Sequence, residues 1–384
     1  MRERAAEELN PKMGRMGAED PSTRFAAGSL VRLRTWMADQ EVDAAYVTRP
    51  VSIAYLAGFH AETQERLMAL TVRQEGATLI VPAIERDRAV QVAGSFGVVA
   101  WRDGEDPYVL VREALAGADV IAVEKDHLTV RSAEALQAMA GVQGLADVSG
   151  EIRALRRSKS AAELEKLRHA ADITDKAHED VVGRIHLGQT ELEVAAIIAA
   201  AISAHGGTLA FDSLVQFGAH TAFPHHHPSN RILREGDLIL LDFGAAYEGY
   251  HADTTRMAVA GAPTDAQSSM HELVLEAHDA AIAAVRGGVT AGSVDEAARS
   301  VFRVAEQGEY FIHRTGHGLG LEVHEDPSLD PRSTLVLEPG MVATIEPGLY
   351  VDGFGGVRIE DDVVVEARGC RLLTHSDRSL RVIT

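Results

Sequence analysis

The chain has 384 residues, 46% of them hydrophobic and 24% charged, with a formal net charge of −20. That length suits two domains of roughly 100 to 200 residues, and the composition excludes a disordered or fibrous chain. The acidic balance and the lack of any separate Lys/Arg cluster argue against nucleic acid as a partner. A single cysteine, Cys370, rules out an intrachain disulfide framework and any thiol-based metal site, which fits a reducing, cytoplasmic setting. No stretch reaches the roughly 18 apolar residues of a membrane span.

Residues 1–21 are polar, carry no apolar period and read as a disordered leader. From Pro21-Ser-Thr23 a helix is expected, with Phe25, Leu30, Leu33 and Trp36 at helical spacing. Then come a strand at 43–47, a short helix at 52–56, strands at 67–72 and 78–81 and a helix at 85–93. A second cycle follows: strand 98–101, helix 108–115, strand 120–123, helix 131–139 and strand 145–148. Residues 22–155 thus form an α/β domain, and no phosphate-cradling glycine loop occurs in it. The basic stretch 151–160 marks the boundary to a second, α+β domain at 156–384. Capping boxes of the form Ser160-Ala-Ala-Glu163, Thr190-Glu-Leu-Glu193 and Ser293-Val-Asp-Glu296 start helices there, and 265–285 is helical by period.

Within this second domain a pattern repeats. Gly236 and Gly340 each precede an apolar strand that ends in a carboxylate six residues on, Asp242 and Glu346. A second acid follows each time, Asp253 and Glu360, after a turn rich in Gly and Tyr. Two such hairpins can face one another across a pseudo-two-fold axis. An ionised carboxylate closing a strand such as Leu238-Ile-Leu-Leu241 is unfavourable unless it is paired or bound to a cation. His317, in Thr315-Gly-His-Gly-Leu-Gly320, offers an imidazole in a loop whose glycines let backbone approach closely. Oxygen-rich ligation with one imidazole suits Mn²⁺, Co²⁺ or Zn²⁺. Two such ions held by Asp242, Asp253, His317, Glu346 and Glu360 would lower the pKa of a shared water to about 7 and polarise a carbonyl.

The blocks Leu241-Asp-Phe-Gly244, Gly249-Tyr-His-Ala-Asp-Thr-Thr-Arg256, Gly316-His-Gly-Leu-Gly-Leu-Glu-Val-His324, Thr344-Ile-Glu-Pro-Gly348 and Gly356-Val-Arg-Ile-Glu-Asp361 resemble the five signature blocks of the pita-bread metallopeptidases. Among these the chain is similar to bacterial prolidases (Xaa-Pro dipeptidases) and Xaa-Pro aminopeptidases, which also carry an N-terminal α/β domain. Leu56-Ala-Gly-Phe-His60, Gln64-Glu-Arg-Leu67 and Phe211-Asp-Ser-Leu-Val-Gln216 extend the resemblance to nearly the whole chain beyond the leader. The resemblance implies a homodimeric hydrolase of proline-containing dipeptides or short peptides with two divalent ions, Mn²⁺ foremost. It implies that His225 assists proton transfer at the leaving amine, with His226 and His227 as competitors in the same three-histidine run. His324 would stabilise the tetrahedral intermediate or grip the substrate, Glu346 would accept the water's proton, and Arg358 would orient ligands and substrate.

Two departures stand out. The arginine that several prolidases place soon after the second histidine is absent from His324-Glu-Asp-Pro-Ser328, leaving Arg66 or Arg332 to grip a dipeptide carboxylate. The usual Ser-Asp-x-Thr-Arg-Thr appears as Ala252-Asp-Thr-Thr-Arg-Met257, which alters groups around the ligands rather than the ligands themselves. Two other classes stay open at this point: a lyase or amidinohydrolase on the same scaffold, and a non-catalytic peptide-binding module.

Overall fold

Strands Ala44–Val47, Ala69–Arg73 and Ala77–Pro82 alternate their side chains between two separate cores, which is the signature of a sheet covered on both faces. Ala45, Val47, Leu70, Val72, Leu79 and Val81 point to one core, with Leu30, Leu33 and Met37 of the helix Pro21–Asp39. Ala44, Tyr46, Ala69 and Ile80 point to the other, against Val111, Leu115 and Leu136. The computed structural model describes residues 21–384 except 62–64, 95, 141 and 143. The expected leader therefore lies outside the described residues save Pro21, which already begins the first helix; Gln64 and the side chain of Phe25 lie outside them too. Six strands make the mixed sheet, in the order 97–101, 77–82, 69–73, 44–47, 120–123, 144–147.

The basic stretch at 151–160 is no linker. Residues Ser149–Arg157 form a helix whose Ile152 and Leu155 enter the core of the first half. Its cationic end reaches the second half: Arg156 Nη2 donates to Glu325 Oε2 at 2.5 Å and Lys159 Nζ to Glu325 Oε1 at 2.7 Å. Burial raises the pKa of Glu325, but Lys159 and Arg156 outweigh it and hold the carboxyl below its ordinary range.

In the second half two helix pairs pack on the larger two of the four sheets among its described residues, one of four strands and one of five. Helices Ala161–Val182 and Glu191–Ala204 cover Ile239, Leu241 and Phe243 of the strand Leu238–Phe243. Helices Asp265–Ala284 and Ala291–Val304 share a core with Leu238 and Leu240 on its other face, and with Ala343 and Ile345 of the strand Val342–Ile345. Capping boxes form at Ser160/Glu163 and Thr190/Glu193 as the sequence suggests, and a third forms at Thr264/Gln267. Ser293 is not the cap of the last helix. Thr290, held extended by a bridge to Val336, caps it three residues earlier and accepts the Ser293 N–H. The repeated hairpins are present. Leu238–Phe243 pairs antiparallel with Thr254–Ala260, and Val342–Ile345 with Asp361–Glu366, so each pair of strands carries two acids at one end. Among the described residues no helix is long and apolar enough to cross a membrane.

Glu325→Gln leaves Lys159 buried without a countercharge and Arg156 with Glu322 alone, so it should destabilise the protein by about 3–5 kcal/mol. Denaturant titration of the variant checks this; an unchanged midpoint would show that the pairing does not hold the halves together.

Candidate metal centre

Asp242 continues the Leu238/Leu240 face of its strand past the end of the apolar core. Asp253 lies just before the antiparallel partner strand, and Glu346 and Glu360 hold the corresponding places in the second hairpin. His317 enters between two glycines on a short strand, where a Cβ on Gly316 or Gly318 would collide with the carbonyl of Thr344 or Asp326. That close backbone approach is what the Gly-His-Gly sequence provides.

Asp253, His317 and Glu360 each bring one ligand atom within 4.8 Å of the others. His317 Nε2 is 3.4 Å from Glu346 Oε1 and 3.8 Å from Asp253 Oδ2. Its Nδ1 faces the Gly318 carbonyl at 3.1 Å, so an Nδ1–H donated there leaves Nε2 free as a ligand. Asp242 joins the group through Arg358, whose Nη2 donates to Asp242 Oδ2. Asp242 Oδ1 and Asp253 Oδ1 are buried with no hydrogen-bond partner. A donor set of four carboxylates and one imidazole with orphaned oxygens fits divalent cations.

The electrostatics agree with that fit. Burial raises Asp253 well above the usual carboxylate range, and Glu360 and Asp242 add to it. Glu360 is raised likewise, by burial and then by Glu346 and Asp242. Glu346 rises to about 7: burial drives it, Arg358 opposes and Asp242 reinforces. His317 falls to about 3 through burial and the neighbouring His324, so its imidazole is neutral as a ligand must be. Without cations the chain therefore keeps protons on acids it would otherwise ionise.

A layer of hydrogen bonds fixes these groups. Thr255 Oγ1 donates to Glu360 Oε2 at 2.7 Å and accepts Arg358 Nε at 3.0 Å. Arg358 Nη1 donates to the Tyr350 hydroxyl at 2.9 Å, which lies 2.9 Å from His313 Nε2, while His313 Nδ1 is 2.7 Å from the Arg314 carbonyl. The Asp253 N–H donates to Asp362 Oδ2 at 3.0 Å. Asp361 turns away to Arg256 at 2.7 Å, to His278 at 3.0 Å and to Arg378, which hold it well below its ordinary range against the effect of burial. Tyr350, His313 and Thr255 were not singled out from sequence. Tyr350 shares the hairpin 348–358 with Arg358, a pairing that only the register reveals.

Of the other expected residues, His324 meets His317 edge-on with ring centroids 4.2 Å apart, and burial lowers its pKa, followed by Arg314 and His225. His225 is exposed yet close enough to act electrostatically on both His313 and His324. His226 turns instead toward His220, with centroids 4.0 Å apart. Arg66 and Arg332 are not brought to the centre of this chain. Arg66 is held by Asp103 through two 3.0 Å bonds within the first half, and Arg332 lies exposed in the turn beside Asp330. Arg314, which the sequence had not marked out, acts on His317, on His324 and, after Arg358, on Glu346; its Nη1 donates to Ser328 Oγ at 3.2 Å. A cavity of about 370 Å³ lined by His60, Arg88, His251 and Leu321 contains none of the centre's residues.

The chain is 37% identical over 342 residues to an uncharacterized peptidase of Staphylococcus aureus strain USA300, which spans 88% of this chain and 97% of that protein. It superposes on the Xaa-Pro dipeptidase from Bacillus anthracis with a TM-score of 0.89 at 32% identity, over 93% of this chain and all of the other. The X-Pro aminopeptidase from Thermotoga maritima gives 0.83 at 32% identity, over 89% of this chain and 98% of that one. The family profiles match as two consecutive blocks, the creatinase/prolidase N-terminal domain at residues 30–158 and metallopeptidase family M24 at 165–367. The chain belongs to metallopeptidase family M24, with a creatinase/prolidase N-terminal domain ahead of a pita-bread catalytic domain.

Proposed function

We propose that this chain hydrolyses the Xaa-Pro bond of dipeptides in the cytoplasm, as a homodimer using two divalent ions held by Asp242, Asp253, His317, Glu346 and Glu360. The observation that carries the proposal is the buried cluster of four acids around one neutral imidazole, with two carboxylate oxygens left without partners. Manganese is the ion we assign, with Co²⁺ or Zn²⁺ as substitutes, because four carboxylates and one imidazole form a predominantly hard donor set. When bound, such ions supply Lewis acidity and bring the pKa of a water to about 7.

The chain's own residues divide the remaining work. Glu346, ionised once it binds the ions, is the carboxylate we assign to take the proton as water oxygen attacks the carbonyl carbon. To His324, which lies beside His317, we assign stabilisation of the oxygen that gains charge as the carbonyl becomes tetrahedral. The C–N bond then breaks, and the proline nitrogen, which carried no hydrogen in the amide, needs a proton that we assign to His225. Arg358 positions Asp242, and is itself fixed by Thr255 and Tyr350.

A dipeptide substrate presents a free carboxylate next to the cleaved bond, and a guanidinium is the natural grip for it. Within one chain we assign this grip to Arg314, which acts on His317, His324 and Glu346, whereas Arg66 could serve only across the homodimer interface. Arg332 has the weaker claim, being exposed in its turn. A second reading, an aminopeptidase acting on longer peptides, is favoured by the similarity to the Thermotoga maritima X-Pro aminopeptidase.

Metal-stripped protein reconstituted with Mn²⁺ should hydrolyse Xaa-Pro and spare Xaa-Pro-Yaa. Turnover of the tripeptide would move the chain to the aminopeptidase reading, and turnover of neither with metal bound would reject peptidase activity. Arg314→Ala should raise KM for the dipeptide at least tenfold, the effect of roughly 1.4 kcal/mol of lost binding. If Arg66→Ala raises KM and Arg314→Ala does not, the grip comes from the partner copy. The acids give a further test through pH. Because the Glu346 carboxyl moves from an ordinary 4.5 to about 7 on folding, its contribution to stability is present below pH 4.5 and is lost as pH rises through 7. Stripped protein should therefore fall behind Mn²⁺-loaded protein as pH rises from 5 to 8, by on the order of 3 kcal/mol for this group. A stability gap that is constant across that range would rule out the protonated acid cluster.

A further inference from the structure

Outside the residues assigned so far, Glu191, His220 and His226 also bring one ligand atom each within 4.8 Å of one another. Glu191, the first residue of the helix Glu191–Ala204, is completely buried. Its Oε1 accepts the Phe217 N–H at 2.9 Å and lies 2.8 Å from His220 Nδ1. Oε2 accepts the Ser229 N–H at 3.0 Å and its hydroxyl at 2.6 Å. His220 sits in the turn Gly218–Ala222 and His226 in the loop after it, and their rings lie 4.0 Å apart at 46°. His226 Nε2 is buried and has no hydrogen-bond partner. The loop is held in place by Gln216 Nε2, which donates to the carbonyls of Phe223 and His226, each at 3.1 Å. A buried carboxylate, a second imidazole in contact with it and an orphaned ring nitrogen thus converge from three separate segments.

We propose that Glu191, His220 and His226 form a mononuclear site for a borderline divalent ion such as Zn²⁺, separate from the dinuclear centre. Two imidazoles and one carboxylate make a zinc-type donor set that leaves a fourth position open. Burial, together with the proximity of His220, lowers the pKa of His226, which keeps its imidazole in the neutral form that ligates. Glu191 comes with its remaining lone pairs already directed by the Ser229 and Phe217 N–H groups, the kind of outer support that orients a ligating carboxylate. His220 exchanges its contact with Glu191 for the ion, so no cationic partner is left stranded. The ion ties the start of the helix to the loop 223–228, whose residue before His226 is His225. Occupancy would therefore set the position of the exposed His225 without touching the dinuclear ligands. The existence of the site does not depend on the peptidase reading.

The test counts and locates zinc in the full-length protein. Asp253→Asn/Glu360→Gln, which disables the dinuclear centre, should still retain one zinc per chain after dialysis, and adding His226→Ala or His220→Asn should remove it. Anomalous diffraction at the zinc edge from the unmodified protein should place a peak between Glu191, His220 and His226. Co²⁺ in the dinuclear-deficient protein should give a visible ligand-field band that His226→Ala abolishes. Retention of zinc in the His226→Ala background, or no anomalous peak at this position in zinc-saturated crystals, would overturn the site and leave the Glu191–His220 contact as a structural hydrogen bond. Failure of the dinuclear reading looks different: the unmodified protein would then hold one zinc, lost with His226, rather than three.

Discussion

The second half of this protein is organised by the mutual repulsion of four carboxylates that the fold gathers in one buried place. Asp242, Asp253, Glu346 and Glu360 share that space with one guanidinium in direct contact, Arg358, and with a histidine that burial keeps neutral. Removing an ionised carboxylate from water without a partner costs several kcal/mol, and neighbouring acids raise that cost. The chain resolves the conflict in two ways. It holds protons on the acids when no cation is present, as the raised pKa values of Asp253, Glu346 and Glu360 express, and it leaves oxygens of Asp242 and Asp253 unpartnered for cations to claim. Both depend on the apolar strands that end in these acids, because a more exposed cluster would be screened by water and would need neither.

The arrangement constrains the groups around it. Arg358 can serve Asp242 only while its other nitrogens are satisfied by Thr255 and Tyr350, and Tyr350 in turn leans on His313. Burial lowers His313 to about 4, helped by Arg358 itself, so the imidazole accepts from the tyrosine and adds no charge of its own. The halves of the molecule are coupled to the same region by a second buried ion group. Glu325, which binds Lys159 and Arg156, follows His324 directly in sequence. The N-terminal domain is thus attached to the residue that follows a candidate catalytic histidine, through a helix, 149–157, that also contributes to the first core.

What could be read from the sequence was local. Alternation of period two and helical spacing located the elements of the N-terminal domain to within a residue or two, because each element buries its own side chains against a sheet covered on both faces. Ser160 and Thr190 could be identified as caps because a capping box is complete within four residues. Ser293 misled because a longer-range contact, the bridge of Thr290 to Val336, sets where that helix begins. The gathering of Asp242, Asp253, His317, Glu346 and Glu360 was legible because each acid closes or opens an apolar strand and His317 sits between glycines. Arg314, Tyr350 and the role of the basic stretch 151–160 were not legible, since the first two depend on hairpin register and loop packing and the third on a partner far away in the chain. Lys159 and Glu325 are 166 residues apart, and nothing local in either segment announces the other.

The two candidate ion sites also differ in a way that bears on which ions the chain would hold. One has four carboxylates to one imidazole; the other has one carboxylate to two imidazoles. Raw affinity favours zinc over manganese at both, so ligand softness alone does not exclude zinc from the acid-rich centre. What separates them is the response to protons. The acid-rich centre must release the protons held on Asp253, Glu346 and Glu360 before it fills, and Glu346 keeps its proton up to about pH 7. At the second site the imidazole of His226 is already biased toward its neutral form and Glu191 is braced by two N–H donors and a hydroxyl. Mild acidification should therefore empty the dinuclear centre before it disturbs the ion that steadies the His225 loop, so the order in which the sites empty follows from how each carboxylate is solvated by its own neighbours.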